Sequence, residues 1–518
     1  MKPLVTFAQA QRLDQSTKDD YGLSDDQLME AAAVGMAGAL EAEEDFRTAM
    51  DTRVPEASPP VVALCGGGNN GGDALAVLRH LAFRGRAGLV AVVSSRPGPT
   101  MARRLAEAVP SGVTMLAPDD PRARVAVAGA GLVLDGCSGI GFKGPPRGEL
   151  ATLMALAREA RGPVVAVDVP SGLGPFRTPD ADPAIPVQAS ATLCVEPCKA
   201  ELYFQGNRRF AGRIIPVPGV FPRSAGLGAG MALLGASDLA ASAPALYPDC
   251  HKGDRGALGV FAGAVGSTGA AVLCARAASA AGAGSVTLLV RDTLVPLVST
   301  LVVSQMVRPA SAPGSRRYSA VVAGPGWGTD DANARTLDEL WDAALPLVLD
   351  ADALRLLASS ARPPRCSPLV LTPHPGEFAP LAALAMGEDP SDPGALEKAT
   401  RRIRFDTASI LTEVSARFGA VVVLKGSVTW IGDPDGRLAV WDGREPTLAT
   451  AGSGDVLAGL AGGYLARGSS AWDAAIAAVL THGLAGRTAA AKGFYEADAL
   501  LGEAALISYR RRLNGNQG

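Results

Sequence analysis

The stretch Thr450-Ala-Gly-Ser-Gly-Asp-Val-Leu-Ala-Gly459 sets small residues and two glycines before an acid, Asp455, and an apolar helical pattern starts behind it at Val456, Leu457 and Leu460. A helix N-terminus with bare backbone N–H groups seats an anion such as a phosphoryl group. Asp455 at that point can take a proton from a substrate hydroxyl. Together they predict phosphoryl transfer to an alcohol, with the N–H groups of Ala451, Gly452, Ser453 and Gly454 stabilising the charge in flight. The Gly-Lys-Ser/Thr of a P-loop is absent, so the scaffold must be another one. A glycine turn capping a buried helix would read the same way.

Further candidates lie upstream. Gly263–Ala271 is a small-residue loop before a helix, and Gly324-Pro-Gly-Trp-Gly328 follows a strand. Asp350 and Asp352 fall together at a strand end, and Thr372-Pro-His-Pro-Gly-Glu377 fixes His374 and Glu377 between two prolines. Lys425-Gly-Ser-Val-Thr429 leaves another strand, placed to meet a nucleotide. All are expected at strand C-terminal ends, where α/β sites gather.

A second set lies in the first half. Val61-Val-Ala-Leu-Cys-Gly-Gly-Gly-Asn-Asn-Gly-Gly-Asp73 runs a buried strand through a glycine loop into a helix. Gly66, Gly68 and Gly71 satisfy GxGxxG, but the following strand ends Ser94-Ser95-Arg96 and lacks the acid that would hold a ribose. Asn69, Asn70 and Asp73 suit a monovalent cation and a polar ligand. Asp135, before Ser138-Gly-Ile-Gly141, and Asp168, before Ser171-Gly172, are strand-end acids of the same kind, or else helix caps.

These residues need parallel strands to align them. Short β-branched runs alternate with Ala/Leu-rich helical segments nearly throughout, which predicts α/β layers. Helices are expected over 7–19 and 25–50, then strands at 61–65, 89–94, 131–135, 164–169, 191–195 and 213–217. After an aperiodic Pro/Gly/Ser-rich stretch at 216–230, the pattern restarts with strands at 256–262, 285–289, 320–323, 345–349, 369–371 and 421–424. A hairpin, 428–431 with 438–441, turns at Asp433-Pro-Asp-Gly436. Helices over 455–467, 471–492 and 497–512 close the chain. Two domains are expected, 1–222 and 223–518.

The 518 residues exceed one core, and 48% apolar with 19% charged content suits a soluble globular protein. A net charge of −3 gives no reason to expect nucleic acid or an anionic membrane as partner. Seven scattered cysteines suit a reducing compartment. The uncharged run 256–275 is long enough to span a bilayer, but its glycines divide it into strand, loop and helix. A cytoplasmic location, no membrane partner and a homo-oligomer are expected.

Cys65–Asp73, Asp135–Gly144 and Val165–Leu173 resemble the NAD(P)H-hydrate epimerase family across roughly residues 5 to 222. The resemblance implies a Rossmann-like α/β/α domain. It also implies a hydrate site made by Asn69, Asn70, Gly71, Gly72, Asp73, Gly139, Ile140, Gly141, Phe142, Lys143, Gly144, Pro145 and Asp168, with Asp168 also catalytic. K⁺ would be held by Asn70, Asp135 and Ser171. The sequence departs from the family at Ala31, where Asn is usual, at Ala74, where Gly is usual, and at Gly174-Pro-Phe-Arg177.

Asp350–Leu357, Leu371–Phe378 and Leu448–Gly459 resemble the ADP- or ATP-dependent NAD(P)H-hydrate dehydratases, across about residues 245 to 510. This implies a ribokinase-like α/β/α domain. Ala271, Gly326, His374 and Asp455 would contact the hydrate, with Asp455 catalytic. Lys425, Gly426, Ser427, Val428, Thr429, Gly452, Ser453 and Gly454 would contact ADP or ATP, with Mg²⁺ expected alongside. Trp441-Asp442-Gly443 stands where an Asn is common. The combined expectation is a lyase and isomerase that repairs NADHX and NADPHX, the hydrates of NADH and NADPH. The alternative is a ribokinase-class small-molecule kinase with a non-catalytic nucleotide-binding module at its N-terminus.

Overall fold

The computed structural model describes residues 1–50, 59–173, 186–222, 228, 230–245, 247–312, 317–360, 362–493 and 496–514. The departure at 174–177 lies outside the described residues, as does most of 223–229. The chain divides into two compact units, Pro3–Ala229, and Gly230–Gly518 with Met1–Lys2.

The first unit contains β1 (Lys2–Val5), α1 (Phe7–Tyr21), α2 (Asp25–Ala42), α3 (Glu44–Met50), β2 (Val61–Cys65), α4 (Asn69–Phe83), β3 (Leu89–Val93) and α5 (Pro99–Ala108). It continues with β4 (Thr114–Leu116), α6 (Pro121–Ala128), β5 (Leu132–Gly136), α7 (Glu149–Arg158), β6 (Val164–Val167), β7 (Ala191–Val195), β8 (Cys198–Lys199) and β9 (Arg213–Val217). Capping boxes start the first two helices: Thr6 with Gln9, and Ser24 with Gln27. The helix expected over 25–50 divides at Glu43, whose extended backbone ends α2. The two-residue β8 pairs with β1 in parallel, a contact too short to leave a periodic signal.

Seven strands form a parallel sheet in the order β4-β3-β2-β5-β6-β7-β9, so all their carboxyl ends share one edge. The order reverses beside β2, which opens a crevice there. One face packs on α2 and α4, the other on α6 and α7, giving the α/β/α layers. Every residue of β2, β5, β6 and β7 is buried, as a sheet covered on both sides requires.

The second unit contains β10 (Met231–Leu233), α8 (Leu239–Ser242), β11 (Ala257–Phe261), α9 (Thr268–Ala280), β12 (Ser285–Val290), α10 (Val295–Ser299), β13 (Met306–Pro309), β14 (Ala320–Ala323), α11 (Asp331–Asp342) and β15 (Leu347–Leu349). There follow α12 (Asp352–Ala358), β16 (Leu369–Leu371), α13 (Pro375–Ala385), α14 (Pro393–Phe405), α15 (Thr407–Phe418), β17 (Val421–Leu424), β18 (Thr429–Gly432), β19 (Leu438–Trp441), α16 (Ser453–Ala466), α17 (Ala471–Ala490) and α18 (Ala497–Asn514). The sheet runs β13-β12-β11-β14-β15-β16-β17-β18-β19-β10. It is parallel from β13 to β17, and β18 and β19 form the expected antiparallel hairpin.

Glycines bring α16 against α9. A Cβ on Gly459 would meet the Cys274 carbonyl at 2.1 Å, and one on Gly463 the Ala278 carbonyl at 2.7 Å. This close approach fixes where the α16 N-terminus, and Asp455 with it, must lie. The uncharged run 256–275 is divided between β11, a loop and α9, and no described helix is long and apolar enough to cross a membrane.

Candidate active sites

In the first unit the carboxyl ends of β3, β2, β5, β6 and β7 surround a cavity of about 640 Å³, lined by Gly66–Asn70, Asp73, Ser94, Cys137–Phe142, Asp168, Val195 and Lys199, among others. The turn out of β2 admits only glycine at two points. A Cβ on Gly66 would lie 1.9 Å from the Cys137 carbonyl, and one on Gly71 2.0 Å from the Gly66 carbonyl. Gly71 and Gly72 are buried in the first turn of α4 and do not line the cavity. Lys143, Gly144 and Pro145 are exposed and also lie outside the lining. Ala74 packs over Gly136, away from the cavity, so this departure from the family pattern changes packing and leaves the crevice wall as it is.

Asp168 adopts φ 62°, a left-handed conformation uncommon for a residue with a side chain. Its Oδ1 accepts from Lys199 Nζ at 2.5 Å and from the Val195 N–H at 3.0 Å. Burial works against the Lys199 charge, but Asp168 overrides it and holds the ammonium above its ordinary range. Lys199, only 3% exposed, was not singled out by sequence reasoning. Its one signal was a Lys four residues beyond the apolar strand Ala191–Val195. Asp73 half-faces the same cavity, and burial, then the Asp168 charge, raises its carboxyl well above the usual value.

Asn70 and Ser171 meet at Ser138, and Asp135 holds the backbone on either side of it. Asn70 Nδ2 donates to the Ser138 carbonyl at 3.0 Å, and Ser138 N donates to Ser171 Oγ at 2.7 Å. Asp135 accepts from Ser171 N at 2.8 Å and Cys137 N at 3.3 Å; it is fully buried, and burial raises its carboxyl. The Asp135 carboxylate, the Ser171 hydroxyl and the Asn70 carboxamide oxygen are the kinds of donor a weakly hydrated monovalent cation takes.

In the second unit Asp455 sits half-buried in the first turn of α16. Gly452, at φ 87°, starts that helix with no side-chain cap. Ser453 N donates to the Thr450 carbonyl at 3.3 Å, so the expected row of four N–H groups is reduced there. The Gly454 and Asp455 N–H groups have no protein acceptor among the described residues. Lys425 Nζ stands 3.3 Å from where a Gly454 Cβ would be. It is 2.8 Å from Asp350 Oδ1 and 3.9 Å from Glu377 Oε2.

Burial, then the Asp350 charge, lifts Asp455 to about 7. Burial opposes the Lys425 charge, but Asp350 and Glu377 hold its ammonium above the ordinary value. Asp350 also accepts from Thr372 Oγ1 at 2.8 Å, while Asp352 accepts from Gly328 N at 2.8 Å and ties the Gly324–Gly328 loop down.

His374 caps α13: its Nδ1 accepts from Gly376 N at 3.0 Å and Glu377 N at 3.3 Å, which places the proton on Nε2. Gly326 lies against Ser267, whose Oγ donates to the Gly326 carbonyl at 2.8 Å, and Ala271 is buried one turn on. Of the other candidates, Gly426 and Ser427 are exposed, Val428 is buried and Thr429 half-buried. His482, which the sequence reading passed over as a mid-helix residue, reaches Ser453 Oγ with Nε2 at 3.0 Å. Burial pushes it down to about 4, so it is neutral.

Fold and site geometry define a two-unit α/β protein, Rossmann-like then ribokinase-like. The family profile described as NAD(P)H-hydrate dehydratase matches residues 258–505, and that of the YjeF-related protein N-terminus matches residues 25–200. The bifunctional NAD(P)H-hydrate repair enzyme Nnr of Mycobacterium tuberculosis (strain H37Rv) is 35% identical over 461 residues, 88% of this chain and 87% of that protein. Its Escherichia coli K12 counterpart is 32% identical over 83% of this chain and 81% of that one. The ADP/ATP-dependent NAD(P)H-hydrate dehydratase from Bacillus subtilis, co-crystallized with ATP/Mg²⁺, is 26% identical with a TM-score of 0.47, covering 54% of this chain and 98% of that one. The chain belongs to the bifunctional NAD(P)H-hydrate repair enzyme family.

Proposed function

We propose that residues 1–222 epimerise the R and S hydrates of NADH and NADPH, and that residues 223–518 dehydrate the S form using ADP or ATP. The observation that carries this reading is Asp455, an acid lifted to about 7 at an uncapped helix N-terminus beside Lys425. A base with that pKa is half ionised near neutrality and strong enough to take a hydroxyl proton.

The hydroxyl of the hydrate sits on the carbon next to the ring nitrogen and is a poor leaving group. Asp455 takes its proton as the oxygen bonds to the terminal phosphorus and the nucleotide's bridging P–O bond breaks. Lys425 and the Gly454 and Asp455 N–H groups offset the negative charge in transit. The nitrogen lone pair then expels phosphate, and loss of a ring proton restores the reduced nicotinamide. Mg²⁺ bound with the nucleotide would supply charge neutralisation on its phosphates. The surplus of acids (Asp350, Asp352, Glu377 and Asp455) over Lys425 fits such a cation. No group of three or more His, Cys, Asp or Glu among the described residues is arranged to hold a metal ion unaided, so the nucleotide would be its main anchor.

In the first unit Asp168 meets the hydroxyl proton, and Lys199 fixes the Asp168 carboxyl. As Asp168 takes that proton the ring C–N bond opens to an aldehyde, and when the nitrogen closes again on either face Asp168 returns the proton to the oxygen. Asn70, Asp135 and Ser171 would hold K⁺, which would supply a fixed positive charge to the site.

The test supplies both hydrate epimers with ADP or ATP and follows recovery of reduced-nicotinamide absorbance. Full recovery is expected. A stop at the S fraction, beyond spontaneous epimerisation, removes the epimerase role, and a stable phosphorylated alcohol from another substrate would favour a kinase.

A further inference from the structure

Dinucleotide crevices of this topology usually carry an acid at the end of the strand after the glycine loop, where it holds the adenosine ribose. Here that strand, β3, ends in Ser94-Ser95-Arg96. The tertiary structure brings a carboxylate to the place from elsewhere. Glu149, the first residue of α7, accepts through Oε2 from Ser94 Oγ at 2.7 Å and from Ser95 N at 3.0 Å. Its Oε1 accepts from no protein group among the described residues. Ser94 and Leu150 line the cavity, and Glu149, bonded to the one and next to the other in the chain, borders it.

The segment is built against the glycine loop. Gly98 N donates to the Gly67 carbonyl at 2.8 Å, and a Cβ on Gly67 would come within 2.4 Å of the Arg96 carbonyl. Ser94 and Asp168 therefore stand toward opposite ends of one row of strand termini. The path from β3 through β2 and β5 to β6 is three strand spacings, about 14 Å. A dinucleotide bridges that separation, with its reacting ring at Asp168 and its far ribose at Ser94.

We propose that Glu149 and Ser94 form the adenosine-ribose subsite of this crevice and select a free 2′-hydroxyl over a 2′-phosphate. The proposal rests on the reading that the crevice binds hydrated NADH or NADPH. Glu149 Oε1 would accept from the ribose 2′-hydroxyl, whereas a 2′-phosphate there meets a like charge and has no proton to give. The Ser95 and Ser94 hydrogen bonds hold the Glu149 carboxyl below its usual range, so it is ionised whenever the enzyme works. Arg96, exposed on the same turn and close enough to act on Glu149, is a cation that could reverse the preference.

The experiment uses the full chain without ADP or ATP, which silences the second site. Purified S hydrate of NADH or of NADPH is supplied, and its approach to the R/S equilibrium is followed by chromatography, with the spontaneous rate subtracted. The wild type is expected to favour NADH hydrate in kcat/KM by about tenfold or more, the worth of a hydrogen bond to a charged acceptor. Glu149→Gln should bring the two substrates to near parity, mainly by lowering KM for NADPH hydrate. Ser94→Ala, which frees Glu149 to move, should weaken the preference in the same direction. An unchanged ratio in an active E149Q enzyme overturns the subsite alone. So does a wild-type preference for NADPH hydrate that Arg96→Ala removes. No epimerisation of either hydrate by the wild type overturns the reading of the crevice along with it.

Discussion

Lys425 Nζ donates to Asp350 Oδ1 at 2.8 Å, and the same ammonium lies 3.3 Å from the position of a Gly454 Cβ. One cation therefore offsets a buried acid on one side and extends the positive end of α16 on the other. Asp455, in that helix turn, also feels this cation, but its own burial and the Asp350 charge outweigh it and hold its proton on.

Asp455→Asn should lower the dehydration kcat by about 10²-fold or more while leaving the Kd for ADP or ATP nearly unchanged. In the wild type, kcat/KM should climb as pH rises through about 7, where Asp455 becomes the base. A variant with near-normal turnover, or a flat profile between pH 6 and 8, would remove Asp455 from the role of base.

The same shift has a stability consequence. The native carboxyl binds its proton more tightly than the unfolded one, so its contribution is fully present below the unfolded value of 3.8 and is lost as pH rises through about 7. Asp455→Asn should therefore raise Tm relative to wild type at pH 8, with little difference at pH 4. Equal Tm differences at both pH values would contradict the assigned shift.

Asp350→Asn removes the partner of a buried lysine. With Asp350 only 2% exposed, the loss should cost about 3 kcal/mol in denaturant unfolding. Because the Asp350 charge helps to raise Asp455, the acid limb of the dehydration profile should also move to lower pH. An unmoved limb would assign the Asp455 shift to burial alone.

His482→Ala should free the Ser453 hydroxyl at the α16 N-terminus. Neutral His482, on α17, holds the Ser453 hydroxyl at 3.0 Å and so would act through Ser453 as a positioning residue. KM for ADP or ATP is expected to rise about tenfold, the worth of one well-placed hydrogen bond, with a smaller change in kcat. The pH profile should stay where it was. A profile that shifted with the variant would mean that His482 takes part in proton transfer.

Asp168→Asn should fold, because Asn tolerates the left-handed backbone at this position. It should abolish interconversion of the hydrates yet leave dehydration of pure S hydrate intact. Loss of both activities together would point to misfolding and not to chemistry. Separately, replacing K⁺ with tetramethylammonium should lower Tm by a few degrees if Asn70, Asp135 and Ser171 hold the ion, and Asp135→Asn should erase the difference.

Much of this protein is legible locally. Val61–Cys65, Ala191–Val195 and Arg213–Val217 are strands at the bounds their apolar runs predict, and the Asp433–Gly436 turn joins β18 to β19 as its residues require. Short elements left no such trace. Met231–Leu233, Met306–Pro309 and the two residues of β8 are strands only because a neighbour supplies their hydrogen bonds. The left-handed backbone at Asp168 and Ala351 was likewise hidden, since neither is a glycine.

The sequence by itself determined which residue types could do chemistry and which end of each element they occupy. Glycine spacing, apolar periodicity and capping are properties of adjacent residues, so they survive without a fold. Tertiary structure alone decided the partners: Lys199 for Asp168, Lys425 for Asp350, His482 for Ser453 and Glu149 for Ser94. Those pairs are 31, 75, 29 and 55 residues apart. They meet because strand order and the glycine-lined contact between α9 and α16 set distances that no local pattern encodes. Charge tuning depends on those distances and on burial, which is why the Asp455 carboxyl rises to about 7 only in the folded chain.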